Sequence, residues 1–485
     1  MDTNNATDLT KPNKGIALPA LIAVVISTSI GSGIYDLPAT LAQNATPGGA
    51  LVAWLITGFG ILMLGLGMNY LAVNKLELNG ITDYARAGFG DFAGFISGWG
   101  YWLSNWLANV AFATMLMSTL GFFFPAMKAG NTVFDIFVAS VISWLIAWLV
   151  CRGIEEAAVV NLIVTVCKLI PLFAFFVVTL MSFKAGVFTA HFWSNMSVNL
   201  QATTLSFSHA TFGGILKQIQ GSLMTMMWVF IGFEGATMLS SRARRKSDAG
   251  KATMIGLVTL IIIYIVISML PYGYLSQAQL VKVPHPALVY LFERMVGPVG
   301  GAFISVGLII SILGAWLSLT LLTAETTKLM AEQKVLPAWF GKINRFGVAS
   351  TGVWLTQGFI QIFLVSLIFT SQAYNFAYSL CTSVMLICYA LVGAYLVKEG
   401  YQKRSAGLLI VGTIASAFEI MSVLFAGLVF LWLTSIVYII GFIFYYFARK
   451  QNNKKIAPYE WILMIIITLF ALGAILALLA GKIAI

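Results

Sequence analysis

Charge is scarce in this chain. Only 9% of its 485 residues are Asp, Glu, Lys or Arg, against about 25% in soluble domains. That shortage, with 60% hydrophobic residues and a mean hydropathy of +0.92, excludes a cytosolic enzyme, a disordered chain and a secreted disulfide scaffold. Cysteine is nearly absent too. Cys151, Cys167, Cys381 and Cys388 lie in or beside apolar runs and form no CxxC pair, so neither a disulfide framework nor a zinc site is expected. His191, His209 and His285 stand singly and make no metal constellation. No nucleophile, metal cluster or cofactor loop is visible, so neither catalysis nor a cofactor is expected. The first 15 residues are polar, and the run after them is long and lacks an A-x-A site, which argues against a cleaved signal peptide.

Long apolar runs are what the chain has. A membrane span needs about 20 predominantly apolar residues. Thirteen stretches qualify, at 16–43, 49–73, 92–124, 133–151, 159–183, 220–241, 252–275, 299–331, 349–370, 375–398, 406–424, 428–448 and 459–481. The third and eighth are over-long, as expected for tilted or extended helices. Gly427 marks the split of 406–448 into two spans. The reading is an all-α polytopic membrane protein.

Net charge +11 would suit a polyanion-binding surface, but its distribution argues otherwise. With the N-terminus inside, Lys11 and Lys14, Lys75 and Arg86, Arg152, the run Arg242 to Lys251, Lys328 to Arg345, Lys398 to Arg404 and Arg449 to Lys455 all fall on inner segments. Lys128, Lys184, Lys217, Lys282, Arg294 and Lys482 fall outside, and Lys168 lies within a span. The positive-inside rule therefore predicts a cytoplasmic N-terminus and, with an odd number of spans, an external C-terminus. The basic balance is a topology signal, and no nucleic-acid partner is expected.

Two spans are interrupted. In the first, Gly31-Ser32-Gly33 separates an apolar helix from Ile34-Tyr35-Asp36-Leu37-Pro38, and Gly-Ser-Gly is poor helix. The sixth repeats the device at Ile231-Gly232-Phe233-Glu234-Gly235, at the matching place after five spans. Irregular backbone at membrane depth survives where it lines a cavity or is buried in protein. Paired broken helices in corresponding halves point to an inverted-repeat secondary transporter with its site at the breaks. Freed N–H groups favour a carboxylate and freed carbonyls an ammonium or another cation; an α-amino acid carries both. The plainer alternative is a pair of glycine packing notches.

Four stretches carry a family resemblance: IGSGIYDLPATLA (30–42), YWLSNWLANVAF (101–112), MWVFIGFEGATMLSSRA (227–243) and LGAWLSLTLLTAETTKLMAEQKVLPAWFGKIN (313–344). Through them, residues 15–450 resemble the amino acid–polyamine–organocation superfamily, and within it the basic amino acid/polyamine antiporters. The resemblance implies the LeuT-type five-plus-five inverted repeat with two or three additional C-terminal transmembrane helices. The corresponding divisions are a tail at 1–15, repeats at 16–183 and 220–398, an external loop at 184–219 and further spans in 399–485.

Position by position, the resemblance implies that Gly31, Ser32 and Gly33 hold the substrate α-carboxylate and α-amino group. Trp228 and Ile231 precede the second break, where the family's aromatic lies over the substrate. Trp316 is similar to the tryptophan that packs on the basic side chain, and Ser104, Asn105, Asn109 and Phe112 match the third-span wall. Glu234 matches an acid linked to pH response. Lys168 matches the lysine that takes the place of a sodium ion near spans one and eight, implying exchange without sodium. Each has a blander alternative. A tryptophan suits a membrane interface, Asn109 suits an interhelical hydrogen bond, and Lys168 suits a structural salt bridge. Glu325 is expected to pair with Lys328, one helical turn away.

The chain departs from the family pattern at Asp36, where the agmatine exchangers usually carry an apolar residue. Its carboxylate either complements the dipole of the second half-helix or attracts a cationic substrate group. Glu419 has no assigned role, and the 77–91 loop ELNGITDYARAGFGD lacks the family's proline. The function expected is antiport, in the cell membrane, of an external basic amino acid for an internal amine or amino-acid product. Arginine with ornithine comes first, ahead of histidine with histamine and lysine with cadaverine. A proton-coupled importer and a non-transporting sensor are the other classes. Lipid surrounds such a protein, and a homo-oligomer is left open.

Overall fold

The computed structural model describes residues 15–153, 157–199, 204–370 and 372–480. Lys11, Lys14 and Lys482, and all but the last residue of the 1–15 tail, lie outside the described residues. Helix follows helix: α1 (Leu18–Ser29), α2 (Gly33–Asn44), α3 (Pro47–Asn74), α4 (Gly80–Phe89), α5 (Asp91–Leu120), α6 (Val133–Cys151), α7 (Ala157–Met181) and the short α8 (Ala185–Thr189). An antiparallel hairpin of β1 (Asn195–Asn199) and β2 (Thr204–Ser208) intervenes, with Ser197 opposite Ser206. Then come α9 (Phe212–Phe230), α10 (Gly235–Met238), α11 (Lys246–Met269), α12 (Gln277–Leu280), α13 (Ala287–Val296), α14 (Pro298–Glu332), α15 (Ser350–Ser366), α16 (Ala373–Gln402), α17 (Ala406–Ala426), α18 (Leu428–Gln451) and α19 (Pro458–Leu479).

Helix occupies every one of the thirteen stretches singled out by apolar length. Among the described residues ten single helices suit a membrane crossing by length and composition, or eleven spans when α1 and α2 count as one span bent by 45°. The α5 and α9 helices are not among these, because Ser, Asn, Gly and Gln interrupt their apolar runs. Gly427 does separate a pair of helices: it caps α17 and starts α18. The outermost helices present apolar side chains outward, with Ile465, Leu469 and Phe470 of α19 more than half exposed. In water those surfaces would be unfavourable; against acyl chains they are solvated.

Connections gather at two faces. At one, which carries most of the basic residues, Lys75 Nζ meets Glu399 Oε1 at 2.8 Å. There Asp91 accepts from Arg86 Nε at 2.9 Å, Arg449 Nη1 at 2.6 Å and Lys454 Nζ at 3.0 Å. At the opposite face the α8–hairpin segment covers the start of α3, Gly48 N donating to Phe192 O at 2.9 Å. Gln277 of α12 donates to the carbonyls of Ala42 and Ala45, tying that loop to the end of α2.

The sixth span differs from its expected form. Beyond its break only one helical turn, α10, precedes a 3-10 turn at Ser240–Arg242. The polar Ser240-Ser241 pair and the basic run from Arg242 to Lys246 end the apolar segment there.

Candidate functional site

The first break is a set of redirected carbonyls. Ile30 leaves the helical path (φ −77°, ψ 82°), and Gly31 N donates to Ser29 O. Lys168 of α7 fills the gap: its Nζ donates to Ile30 O at 2.7 Å and Ser27 O at 3.0 Å, with Ser311 O of α14 at 3.4 Å. Ser311 Oγ donates to Ile30 O at 2.9 Å and Gly31 O at 3.1 Å. The Lys168 ammonium, fully buried, thus sits among backbone carbonyls of α1 and α14. The partners found are carbonyls and a serine hydroxyl, so the salt-bridge alternative does not hold among the described residues.

The second break is laced to the first. Gly232 takes φ +102°, a conformation that favours glycine, and a Cβ there would lie 2.8 Å from Thr28 C. Thr28 Oγ1 of α1 donates to Gly232 O at 2.6 Å. Glu234 Oε2 accepts from Gly232 N at 3.2 Å and from the Tyr389 hydroxyl of α16 at 2.6 Å. The freed backbone groups named here are thus bonded, most of them to side chains, which is what allows irregular backbone at this depth.

Between the breaks lies a small cavity of about 10 Å³ lined by Thr28, Ser29, Gly33, Phe112, Trp228 and Ile231, with Ala108, Val229 and Leu319. Of the residues anticipated from sequence, Gly33, Phe112, Trp228 and Ile231 meet in this wall. Gly31 and Ser32 adjoin it: Gly31 lies under the Phe112 ring, and Ser32 is fully buried. The Trp228 and Phe112 rings stand 5.9 Å apart. Both Trp228 and Trp316 are buried, which excludes the interfacial alternative for them. Trp316, one residue beyond the Ala315 that packs near Gly31, is not in the cavity wall.

Four anticipated residues sit behind the wall. Ser104 Oγ donates to Cys381 O at 3.0 Å, and Asn105 Nδ2 to Tyr101 O at 2.8 Å. Asn109 Nδ2 donates to Thr320 Oγ1 at 3.2 Å, the interhelical bond weighed against a pocket role. Glu234 points to Gly232 and Tyr389 and is likewise outside the cavity wall. Glu419 is fully buried on α17, and among the described residues neither of its oxygens has a hydrogen-bond partner.

Sequence reasoning missed the cover of the cavity. The Tyr374 hydroxyl bonds with Ser32 Oγ at 3.2 Å and accepts from Trp228 Nε1 at 3.1 Å, so one side chain of α16 bridges both broken spans. Tyr378 stacks on Trp228 at 5.7 Å. Above Tyr374 opens a vestibule of about 470 Å³ on the opposite face, walled also by Lys128, His285, Gln372 and Asn375. His285 does not stand singly: its Nδ1 lies 2.6 Å from Asp36 Oδ1. Asp36 Oδ1 also accepts from Ala287 N at 3.3 Å, and Oδ2 from Thr40 Oγ1 at 3.2 Å. The only signal available was the stiff Pro284-His285-Pro286 loop, which names no partner.

The basic face is shut. Glu325 pairs with Arg242, beyond the second break, and not with Lys328, whose ammonium lies 3.9 Å from Glu332. The i,i+3 neighbour loses because Arg242 is brought to α14 by the short 3-10 turn. Alongside, Ile16 N donates to Arg242 O and Arg244 N to Ile16 O, both at 2.8 Å, forming a parallel bridge between the segments flanking the two broken spans.

Residues 16–467 match the family model described as amino acid permease. The arginine/ornithine antiporter of Latilactobacillus sakei is 52% identical over 481 residues, covering 98% of this chain and 99% of that protein. Arginine/ornithine antiporter ArcD1 of Lactococcus lactis subsp. cremoris is 48% identical, covering 95% of this chain and 89% of its own. An arginine/agmatine antiporter of Chlamydia pneumoniae is 33% identical over 98% of this chain and 99% of its own. Among solved structures, MhsT in complex with L-phenylalanine aligns with a TM-score of 0.58 at 12% identity, over 84% of this chain and 98% of that one. That likeness is one of fold, and it bears out the LeuT-type five-plus-five arrangement.

Proposed function

The chain belongs to the amino acid permease family, and we propose that it is a secondary antiporter exchanging arginine for ornithine by alternating access, without catalysis. The observation that carries this is the 52% identity, end to end, with an arginine/ornithine antiporter. The geometry supports it independently, with two broken helices meeting at one cavity, covered on one face by Tyr374 and closed on the other by Arg242–Glu325. The relatives' names favour this pair over histidine with histamine, lysine with cadaverine or one-way proton-coupled import.

In this reading the substrate α-carboxylate and α-amino group bind at Gly31, Ser32 and Gly33, and Phe112, Trp228 and Ile231 enclose the chain beyond them. A cation over an indole face gains about 0.5–2 kcal/mol, so Trp228 suits a guanidinium or an ammonium. Trp316, Ser104, Asn105 and Asn109 reach the substrate after a rearrangement of α5 and α14, as does Glu234 through the second break. Lys168 substitutes for a coupling cation. The protein resides in the cell membrane with its N-terminus and basic face cytoplasmic.

Counterflow in proteoliposomes tests the assignment. Vesicles loaded with ornithine, histamine, cadaverine or nothing are given labelled arginine, histidine or lysine. Arginine uptake confined to ornithine-loaded vesicles is expected. Equal uptake into empty vesicles under a pH gradient would overturn antiport.

A further inference from the structure

We propose that His285 is a tethered competitor for the cationic end of the substrate: its imidazolium occupies the Asp36 carboxylate at the foot of the vestibule, and an arriving guanidinium or ammonium displaces it. This rests on the proposed transport of a basic amino acid and adds the recognition step that precedes occlusion.

Asp36 is almost wholly buried and belongs to the half-helix that follows the first break, close to Ser32, where the α-carboxylate is placed. Its most open approach is through His285, whose side chain is 45% exposed, lines the vestibule and lies 2.6 Å from Oδ1. The remaining partners of Asp36, Ala287 N and Thr40 Oγ1, are neutral donors that stay in place when the imidazole swings away. A carboxylate so held keeps its hydrogen-bond acceptors for a second cation.

Among the described residues, other groups around the pair do not supply a competing cation at hydrogen-bond range. Helix α16 brings the hydroxyls of Tyr374 and Tyr378 near Asp36, and both are engaged, with Ser32 and Trp228 and with Thr225 respectively. Lys128, from the segment after α5, lies across the vestibule with its ammonium 5.7 Å from the Tyr290 ring of α13. The Tyr272 hydroxyl is spent on Ala45 O. From α9, Trp228 is the facing residue, and α12 carries no charge. Asp36 is thus the charge that acts on His285, and it raises the imidazole above its usual range while partial burial opposes.

At low pH the imidazolium competes; as pH rises through its raised value the competitor loses its charge, and Asp36 becomes available. The test is the KM for arginine in ornithine-loaded proteoliposomes, with pH varied only on the vestibule side. In the wild type KM is expected to fall about fivefold from about pH 6 to about pH 8.5. His285→Gln, which keeps a donor but no titratable charge, should show the low KM throughout. His285→Arg should show the high KM throughout. Inhibition by citrulline, whose side chain is neutral, should not vary with pH. A flat wild-type profile, or His285→Gln retaining the wild-type profile, overturns the inference. Loss of exchange in both His285 variants, with wild type active, also overturns it, because His285 would then be a structural prop. Absence of arginine/ornithine exchange in the wild type at every pH is a different failure, that of the transport assignment, and removes this inference with it.

Discussion

The Lys168 ammonium donates to the carbonyl of Ile30, 2.7 Å away, at the residue where the first half-helix stops. In the proposed function this covalently attached cation takes the place of a diffusible one at the break. Exchange should be indifferent to replacing sodium with choline. Lys168→Met removes the ammonium donor shared by the Ile30 and Ser27 carbonyls, leaving Ile30 O with the Ser311 hydroxyl, and losing it in this buried site costs about 1–3 kcal/mol. Exchange should fall more than about tenfold, while size-exclusion behaviour is retained. Normal counterflow by the variant would refute a coupling role.

Gly232 and Gly358 make a matched pair of substitutions. At Gly232 a Cβ meets the Thr28 backbone in a positive-φ conformation, whereas at Gly358 nothing lies within 4 Å. Gly232→Ala should abolish exchange and lower thermal stability by more than about 2 kcal/mol. Gly358→Ala, in mid-helix, should be neutral or stabilising by about 0.5–1 kcal/mol. Thermal unfolding in detergent compares them, and equal effects would contradict the account of the break.

Tyr374→Phe removes one hydroxyl and with it both bridging bonds, to Ser32 and Trp228. At about 1 kcal/mol for each bond, the cover opens about 5–30-fold more readily. Stopped-flow tryptophan fluorescence should report faster arginine release toward the vestibule side. An unchanged release rate means that Tyr374 is a passive wall.

The Arg242–Glu325 pair is partly buried, and removing one partner leaves the other unpaired, at about 1–3 kcal/mol. Glu325→Gln and Arg242→Gln should each loosen the basic face and slow coupled exchange. A double-mutant cycle on exchange rate should give a double variant no worse than either single one. Strict additivity would show that the two side chains act separately.

Asp91 gives a pH signature of its own. Partial desolvation pushes its carboxyl up, but Arg86, Lys454 and Arg449 outweigh it and hold it down to about 2. The folded value lies below the unfolded one, so the stabilisation is present above about pH 4 and is lost as pH falls further. Asp91→Asn should cost about 1 kcal/mol at neutral pH, solvent screening having reduced the contribution of this partly exposed group. The gap between variant and wild type should narrow on acidification, by differential scanning fluorimetry. A gap of constant size would mean that packing, not charge, is lost.

The spans and both breaks were legible because they are local. Apolar length marks a helix in lipid, and Gly31-Ser32-Gly33 and Gly232 announce where a helix cannot continue. Even the division at Gly427 could be read this way. Partner choice was not local. Glu325 took Arg242, 83 positions away, over Lys328 three positions away, because the sixth span ends in a single turn that no composition rule foretells. Asp36 and His285 are 249 positions apart, so the histidine looked isolated. Tyr374 was passed over because a tyrosine near the end of an apolar helix suits a headgroup region just as well. Ser104, Asn105 and Asn109 share the right helix with Phe112, but in this conformation Ser104 and Asn109 serve neighbouring helices and Asn105 serves the Tyr101 carbonyl of its own.

The backbone bridge between Ile16 and Arg242–Arg244 gives the closed basic face a clock. Those amides are shielded while the strand-like contact lasts and meet water whenever it opens, so deuterium uptake at Ile16 and Arg244 counts openings directly. No dye or engineered cysteine is needed. Added substrate that drives the cycle should quicken labelling there, while amides in mid-helix of α14 keep their own slower time.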